Sequence, residues 1–377
     1  MPRSGYTNSV DSDSTAVTTI AKKGGYLNVF EGTHPVGSYS TLSAAWTKAI
    51  TYLGGSRSWQ DDIRLRGDIT INSQITVPEY TMVRGPAMLR QGFNGTLFTD
   101  EKIGDSLNAD EITMRDLNFA MDATTYNTAG TVIHMCVRDS TFENLKMWGA
   151  LNEAVIFESK GGGLSERILA NTLNNIWIGR HGTLGSYAGG LYFKEDGSGN
   201  GVADMHCHNI YIINCYNYQL RIEYGANNFF DQMHLTGYGT GYTNATQFDG
   251  TYQLFWTSGT VESCRGNGVY IDGGSNHIYM SNILFTGNGN YTDNTYCDVL
   301  VDSTSSTNRD VNLNRCQFRW PTGGSANLPL YNIYFKGANS DYCTARENHF
   351  DPDYYSTDST EDESGTGTIE NNNNFAS

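Results

Sequence analysis

One four-residue pattern recurs through most of this chain and constrains its fold more than any other feature: a polar residue, often Asn, then an apolar residue, any residue, and a second apolar residue. It reads Asp116-Leu117-Asn118-Phe119, Asn144-Leu145-Lys146-Met147, Asn175-Ile176-Trp177-Ile178, Asn209-Ile210-Tyr211-Ile212, Gln232-Met233-His234-Leu235 and Asn282-Ile283-Leu284-Phe285. Weaker copies are Val261-Glu262-Ser263-Cys264, Arg315-Cys316-Gln317-Phe318, Glu347-Asn348-His349-Phe350 and Asn372-Asn373-Asn374-Phe375. The copies end at 119, 147, 178, 212, 235, 264, 285, 318, 350 and 375, so they lie 21 to 34 residues apart. Three consecutive copies continue alike, as Thr236-Gly237-Tyr238-Gly239, Arg265-Gly266-Asn267-Gly268 and Thr286-Gly287-Asn288-Gly289. A unit of this length cannot bury its apolar side alone and must stack on its neighbours.

A second short strand follows in each unit: Val155-Ile156-Phe157-Glu158, Leu191-Tyr192-Phe193-Lys194, Leu220-Arg221-Ile222-Glu223, Leu254-Phe255-Trp256-Thr257, Val269-Tyr270-Ile271-Asp272, Val299-Leu300-Val301-Asp302 and Ile333-Tyr334-Phe335-Lys336. The first and third residues of every copy are apolar, so they share one face of a strand. One such strand per unit means that like stacks on like. The units lack the 3.6-residue period of helical repeats. The spacing therefore predicts an all-β chain, a single-stranded right-handed parallel β-helix of about ten coils with insertions in its turns. Asn tolerates the left-handed conformation and bonds its neighbours in a stack, so Asn144, Asn175 and Asn209 are expected to form an internal structural ladder.

Asn, Thr, Ser, Tyr and Gly dominate the 377 residues, with 42 Gly and 12% aromatics, which favours strands and turns. The net charge of −16 argues against nucleic-acid binding, which needs basic surface to displace counterions. No apolar run approaches a membrane span, and the polar start from Met1 through Thr15 shows no secretory signal. Seven Cys, an odd number set among alternating strand residues, read as buried free thiols. A chain made in a reducing compartment can still act outside the cell, as on a virus particle released by lysis. No cofactor and no metal is called for, and virion surface or extracellular localisation follows.

Solenoid ends need caps. Leu42, Ala45, Trp46, Ala49, Ile50 and Leu53 fall at helical spacing, with Ser40 as N-cap and Gly54-Gly55 as the stop. A capping helix over 40–53 thus opens a β-helix domain spanning 36–377. Residues 1–35 are not repeat-like and are expected to form an anchor or subunit contact, reaching a virion partner. Asp62 to Ile71, Ile75 to Pro78 and Met82 to Gly85 read as the first short-stranded coil. Ser356 to Ser364 reads as an acidic solvated loop before a final rung over Gly367 to Phe375.

The capping helix, the Gly54-Gly55 break, the short strands and the turn ending in Arg84-Gly85 resemble the pectin-lyase-like superfamily of right-handed β-helices. The likeness runs over about residues 37–375, and its character is closest to phage and viral tailspike proteins. That resemblance implies a polysaccharide partner and a homotrimer. Catalytic signatures of the polygalacturonases and epimerases fail to match: Asp61-Asp62 comes too early, Arg180-His181-Gly182 lacks its first Gly, Arg221-Ile222-Glu223 ends in Glu, and Asp351-Pro352-Asp353 lacks a His.

What remains is the outward stripe of the second strand. Glu223, Asp272 and Asp302 are the expected catalytic carboxylates, with Tyr192, Arg221, Phe255, Tyr270 and Tyr334 as the carbohydrate-binding set. Coils lie about 4.8 Å apart, so Asp272 and Asp302 are expected about 5 Å apart and Glu223 and Asp272 about 10 Å. These separations bracket those of retaining and inverting glycosidases. The same alternation equally describes a solvated strand face. Asp204, His206 and His208 alternate likewise and could serve as acid, base or ligands, or simply as polar strand positions. Sequons at Asn94, Asn244 and Asn290 carry little without secretion. The leading expectation is a virion tailspike or receptor-binding protein that recognises, and can depolymerise, host-surface polysaccharide. The alternatives are a secreted polysaccharide lyase or glycoside hydrolase and a non-catalytic structural β-helix of a virus particle. Light scattering on the full chain at micromolar concentration is expected to give three times the chain mass; a monomer contradicts the tailspike-like assembly.

Overall fold

A computed structural model of the chain describes residues 16–53, 60–103, 108–122, 124–159, 170–179, 189–237, 244–289, 295–320, 327–352, 354–355, 357–363, 369–371 and 374–375. Arg180-His181-Gly182, Asn290, Asp353, the Gly54-Gly55 break, residues 1–15 and the start of the proposed last rung lie outside them. The chain winds between two long parallel sheets, and each strand pairs with the same strand of the coils before and after it. The second sheet runs, among the described residues, through Ile75–Val77, Gly95–Asp100, Gly130–Met135, Val155–Glu158, Gly189–Lys194, Tyr218–Glu223, Thr246–Asp249, Val269–Asp272, Val299–Asp302, Tyr331–Lys336 and Asp358–Asp362.

Alternation places the inward residues as the repeat predicts. Leu191, Phe193, Leu220, Ile222, Val269, Ile271, Val299, Val301, Ile333 and Phe335 are all buried, and their strands are parallel and in register. Trp256 is fully buried as well, edge-on to Phe230 at 6.5 Å between ring centroids. All seven Cys are free and buried, and burial pushes the Cys316 and Cys343 thiols up to about 12.

In five copies the residue ahead of the apolar pair sits at a left-handed bend inside a long strand of the first sheet, with φ 59° at Asp116, 53° at Asn144, 54° at Asn175, 53° at Asn209 and 53° at Gln232. The Asn amides form the expected ladder: Asn144 Nδ2 donates to Asp116 Oδ1 at 2.9 Å, Asn175 Nδ2 to Asn144 Oδ1 at 2.8 Å, and Asn209 Nδ2 to Asn175 Oδ1 at 3.1 Å. The ladder is exposed rather than internal, because the bend turns the side chain outward. Different asparagines do the internal work. Asn171, Asn228 and Asn348 are fully buried, and each carboxamide takes a backbone N–H and returns Nδ2 to a carbonyl of the coil before. Buried polar groups persist in a core only when both their donors and acceptors are answered.

The structure corrects several expectations. Leu254-Phe255-Trp256 belongs to the first sheet, in Tyr252–Trp256 between the strands Ala226–Thr236 and Asn276–Ser281. The second-sheet strand of that coil is Thr246–Asp249. It escaped the apolar-x-apolar pattern because Thr246, not an aliphatic residue, fills the first inward position, where it is fully buried. Asp358–Asp362 in the expected acidic loop is a strand, paired in parallel with Tyr331–Lys336 through backbone bonds that its acidic side chains do not prevent. The helix spans Leu42–Leu53 and packs on the first strands, but Thr41, not Ser40, caps it, its Oγ1 accepting from Ala44 N at 3.3 Å. The domain boundary drawn after residue 35 falls inside the strand His34–Tyr39. Part of the supposed anchor also joins the stack: Ala16–Lys23 pairs in parallel with Asp61–Ile71 and antiparallel with Tyr26–Glu31.

Trp256→Ala is expected to remove about 3–5 kcal/mol, the loss for a large buried aromatic, read by denaturant unfolding. A second measurement concerns Asp298, fully buried, which accepts hydrogen bonds from Asn288 Nδ2 at 2.8 Å, Asn332 Nδ2 at 2.8 Å and Tyr354 Oη at 3.1 Å. Burial outweighs these donors and pushes its carboxyl up to about 7. A folded value above the unfolded one, near 4, gives stability that is complete below the unfolded value and lost as pH rises through about 7. The wild type is therefore expected to lose more Tm between pH 5 and pH 8 than Asp298→Asn does; equal losses overturn the assignment.

Candidate functional site

In-register stacking turns the outward residues of the second sheet into two columns. One runs Ile156, Tyr192, Arg221, Gln247, Tyr270, Leu300 and Tyr334. Two residues along each strand, the other runs Glu158, Lys194, Glu223, Asp249, Asp272, Asp302 and Lys336. Glu223, Asp272 and Asp302 thus share one face as expected, with Tyr192, Arg221, Tyr270 and Tyr334 beside them. Phe255 does not join them. It lies on the first sheet in a stack with Phe229 at 5.2 Å and Tyr279 at 5.2 Å, near-parallel at 9° and 10°.

The column holds a carboxylate that sequence reasoning missed, Asp249, between Glu223 on one rung and Asp272 on the next. Four consecutive rungs therefore carry acids about 4.8 Å apart from strand to strand. Three of the four have answering groups. Glu223, only 9% exposed, takes Tyr192 Oη on Oε2 at 2.6 Å and Arg221 Nη2 on Oε1 at 2.5 Å. That guanidinium also lies 5.2 Å from the Tyr192 ring centre and 5.8 Å from that of Tyr218, so Arg221 is the hub of a tight knot. Asp272 accepts from Tyr270 Oη at 3.0 Å, Gly273 N at 2.7 Å and Ser306 Oγ at 3.4 Å. Asp302 accepts from Lys336 Nζ at 2.9 Å and from Thr304 Oγ1 at 2.7 Å. Asp249 has no side-chain hydrogen bond among the described residues.

These surroundings separate the acids electrostatically. Burial, then the charges of Asp272 and Glu223, raise the Asp249 carboxyl above its ordinary value, with only partial relief from Arg221. Burial also acts on Asp302, but Thr304 and Lys336 outweigh it and hold that carboxyl below the usual range. Burial and the neighbouring carboxylates raise the phenols of Tyr192 and Tyr270, which therefore stay neutral donors. Burial and a hydrogen bond with Glu363 do the same for Tyr334. Like charges on adjacent rungs, with one group biased toward its protonated form, are the arrangement that splits two carboxyls into an acid and a base.

The second sequence candidate comes apart on inspection. Asp204 sits at a left-handed bend with φ 53°, while His206 and His208 do share an outward face. His206 stacks on Phe229 at 5.0 Å, and His208 Nδ1 faces Asp231 Oδ2 at 3.0 Å. Such His–carboxylate pairs recur across rungs, at His134–Glu158 (2.6 Å) and His234–Glu262 (3.1 Å), which marks them as cross-strand pairs of the stack.

The fold is a parallel β-helix, as in solved structures of a tailspike and of a surface adhesin. No protein-family model matches the sequence, and a search of curated proteins finds no relative of it. Among solved structures the chain is similar to PfbA, a surface adhesin of Streptococcus pneumoniae, with TM-score 0.59, 12% identity, and 89% of this chain and 86% of that chain covered. It is also similar to the enzymatically active domain of tailspike protein 2 of bacteriophage CBA120, with TM-score 0.53, 13% identity, and 79% of this chain covered. The match spans 45% of that tailspike domain, less than half its length. At these identities the likeness is one of fold.

Carboxyl-selective NMR is expected to show Asp302 losing its proton below the ordinary aspartate range and Asp249 losing its proton above it. The reverse order overturns the charge assignment of the column.

Proposed function

We propose that this protein is a tailspike-like, receptor-binding β-helix of a virus particle that lays host-surface polysaccharide along the outward face of its second sheet and hydrolyses it there. The observation that carries this reading is the column of four carboxylates with Asp249, its carboxyl raised and without a side-chain hydrogen bond among the described residues, between Glu223 and Asp272. Fold likeness to a phage tailspike domain and to a bacterial surface adhesin supports it.

In this reading protonated Asp249 gives its proton to the glycosidic oxygen as the bond from the anomeric carbon to that oxygen breaks. The adjacent carboxylate of Asp272, about 5 Å away across one rung, attacks the anomeric carbon. Water then cleaves the resulting glycosyl ester, giving its proton to Asp249 and restoring both groups. A one-rung separation matches the retaining geometry. Tyr270 Oη, Gly273 N and Ser306 Oγ disperse the charge on Asp272 between turnovers. Burial, then the charges of Asp272 and Glu223, raise the Asp249 carboxyl toward the proton-holding form, while Glu223 and Asp302 are pinned by Arg221 and Lys336, a narrower role than the catalytic one expected from sequence. Tyr192, Arg221, Tyr270 and Tyr334 offer rings and donors to sugar faces. The segment before the first strand serves as anchor or subunit contact in a homotrimer.

Asp249→Asn is expected to lower release of new reducing ends by about 10²–10⁴-fold, the usual worth of a positioned proton donor, and Asp272→Asn by at least as much, because it removes the nucleophile. Binding and Tm should stay close to wild type, because both side chains are half-exposed. Wild-type rates in both variants place the chemistry on another face. A wild type that binds polysaccharide and releases no ends leaves an adhesin without a hydrolase.

A further inference from the structure

Resting on that reading of the groove, we infer that its centre takes a glycan whose sugar residues carry no acidic group: neutral hexoses or amino sugars, not uronates, sialates, phosphates or sulfates. The charges of the column balance at both ends and not in the middle. Glu158 is answered by Lys194 at 3.4 Å and His134 at 2.6 Å, Glu223 by Arg221 at 2.5 Å, and Asp302 by Lys336 at 2.9 Å. On the two rungs between, Asp272 is held by neutral donors alone and Asp249 by none among the described residues. Glu195 adds a further negative field at Asp249.

Two consequences follow for whatever lies across those rungs. An anionic sugar substituent there would sit within about one strand spacing, 4.8 Å, of one or both carboxylates, in a chain whose net charge is −16. The cations that would have to answer it, Arg221 and Lys336, are already engaged by Glu223 and Asp302. The hydrogen-bonding capacity left open points the same way. Even with one proton on Asp249, the Asp249–Asp272 pair offers more acceptors than donors, so a ligand laid across both rungs brings donors: sugar hydroxyls, amide N–H groups or an ammonium. A carboxylate brings only acceptors. Like-charge juxtaposition excludes partners more sharply than it strengthens correct ones.

The test uses a panel of immobilised bacterial surface polysaccharides, neutral, amino-sugar-containing and acidic, presented to the wild type and to the double variant Asp249→Asn/Asp272→Asn. The wild type is expected to retain only members without acidic groups, with affinity little changed between low and high salt. The double variant is expected to gain at least about tenfold for acidic members at low ionic strength, a gain that shrinks as salt screens the groove. If the wild type holds a uronate- or phosphate-bearing polysaccharide and the double variant weakens that binding, this inference is overturned while the groove reading survives. If the wild type holds only members without acidic groups but the double variant gains nothing for acidic ones, this inference is overturned while the groove reading survives; if the wild type holds no polysaccharide at all, the groove reading itself fails and takes this inference with it.

Discussion

In-register parallel stacking is the constraint on which everything else here depends. Each coil satisfies its backbone N–H and C=O groups on the coils before and after it, as Leu145 does between Leu117's neighbours and Ile176. The register cannot slip by one residue without turning the core face outward. A side chain at one place in a coil therefore meets its counterpart in the next at about 4.8 Å. Similar residues pack well in such a column: Phe285, Phe318 and Phe350 stack at 5.0 and 4.9 Å with planes within 14°. Like charges do not, and each acidic column has to be managed.

The management is visible rung by rung. On the second sheet Lys194 and Lys336 bracket the carboxylates, and Arg221 is tied down between Tyr192, Tyr218 and Glu223. On the first sheet histidine answers some acids, His208 against Asp231 and His234 against Glu262, and arginine others, Arg90 against Asp68 and Arg309 against Asp341. Along this column, among the described residues, Asp249 and Asp272 face each other across a rung without a cation. A stack that neutralises its columns elsewhere and leaves this pair open concentrates negative potential at one place on its surface. Open acceptors and half-buried tyrosines make that place suited to hydroxyl-rich ligands.

How much of this was legible in the sequence differs from residue to residue, for physical reasons. The Asn bends were legible because few residue types tolerate φ near 54°, and the pattern repeats them. That their ladder is exposed, while Asn171, Asn228 and Asn348 line the inside, was not, since a carboxamide satisfies a bend from either side. Glu223, Asp272 and Asp302 were placed on one face by period-2 alternation alone. Asp249 was hidden because Thr246 stands at an inward position, and a more apolar segment, Leu254-Phe255-Trp256, lay eight residues downstream to claim its coil.

The sequence by itself determined the solenoid: recurring apolar pairs at period 2, broken by left-handed bends, can bury their apolar face only by stacking coil on coil. It also determined that the cysteines would be core residues and that one strand face would carry acids. Only the tertiary structure decided which strand of each coil joins which sheet. That choice depends on insertion lengths and backbone pairing, which no local pattern encodes. It alone brought Asp249 between Glu223 and Asp272, because electrostatic neighbourhood is set by register across coils 23 to 29 residues apart in the chain, not by adjacency along it.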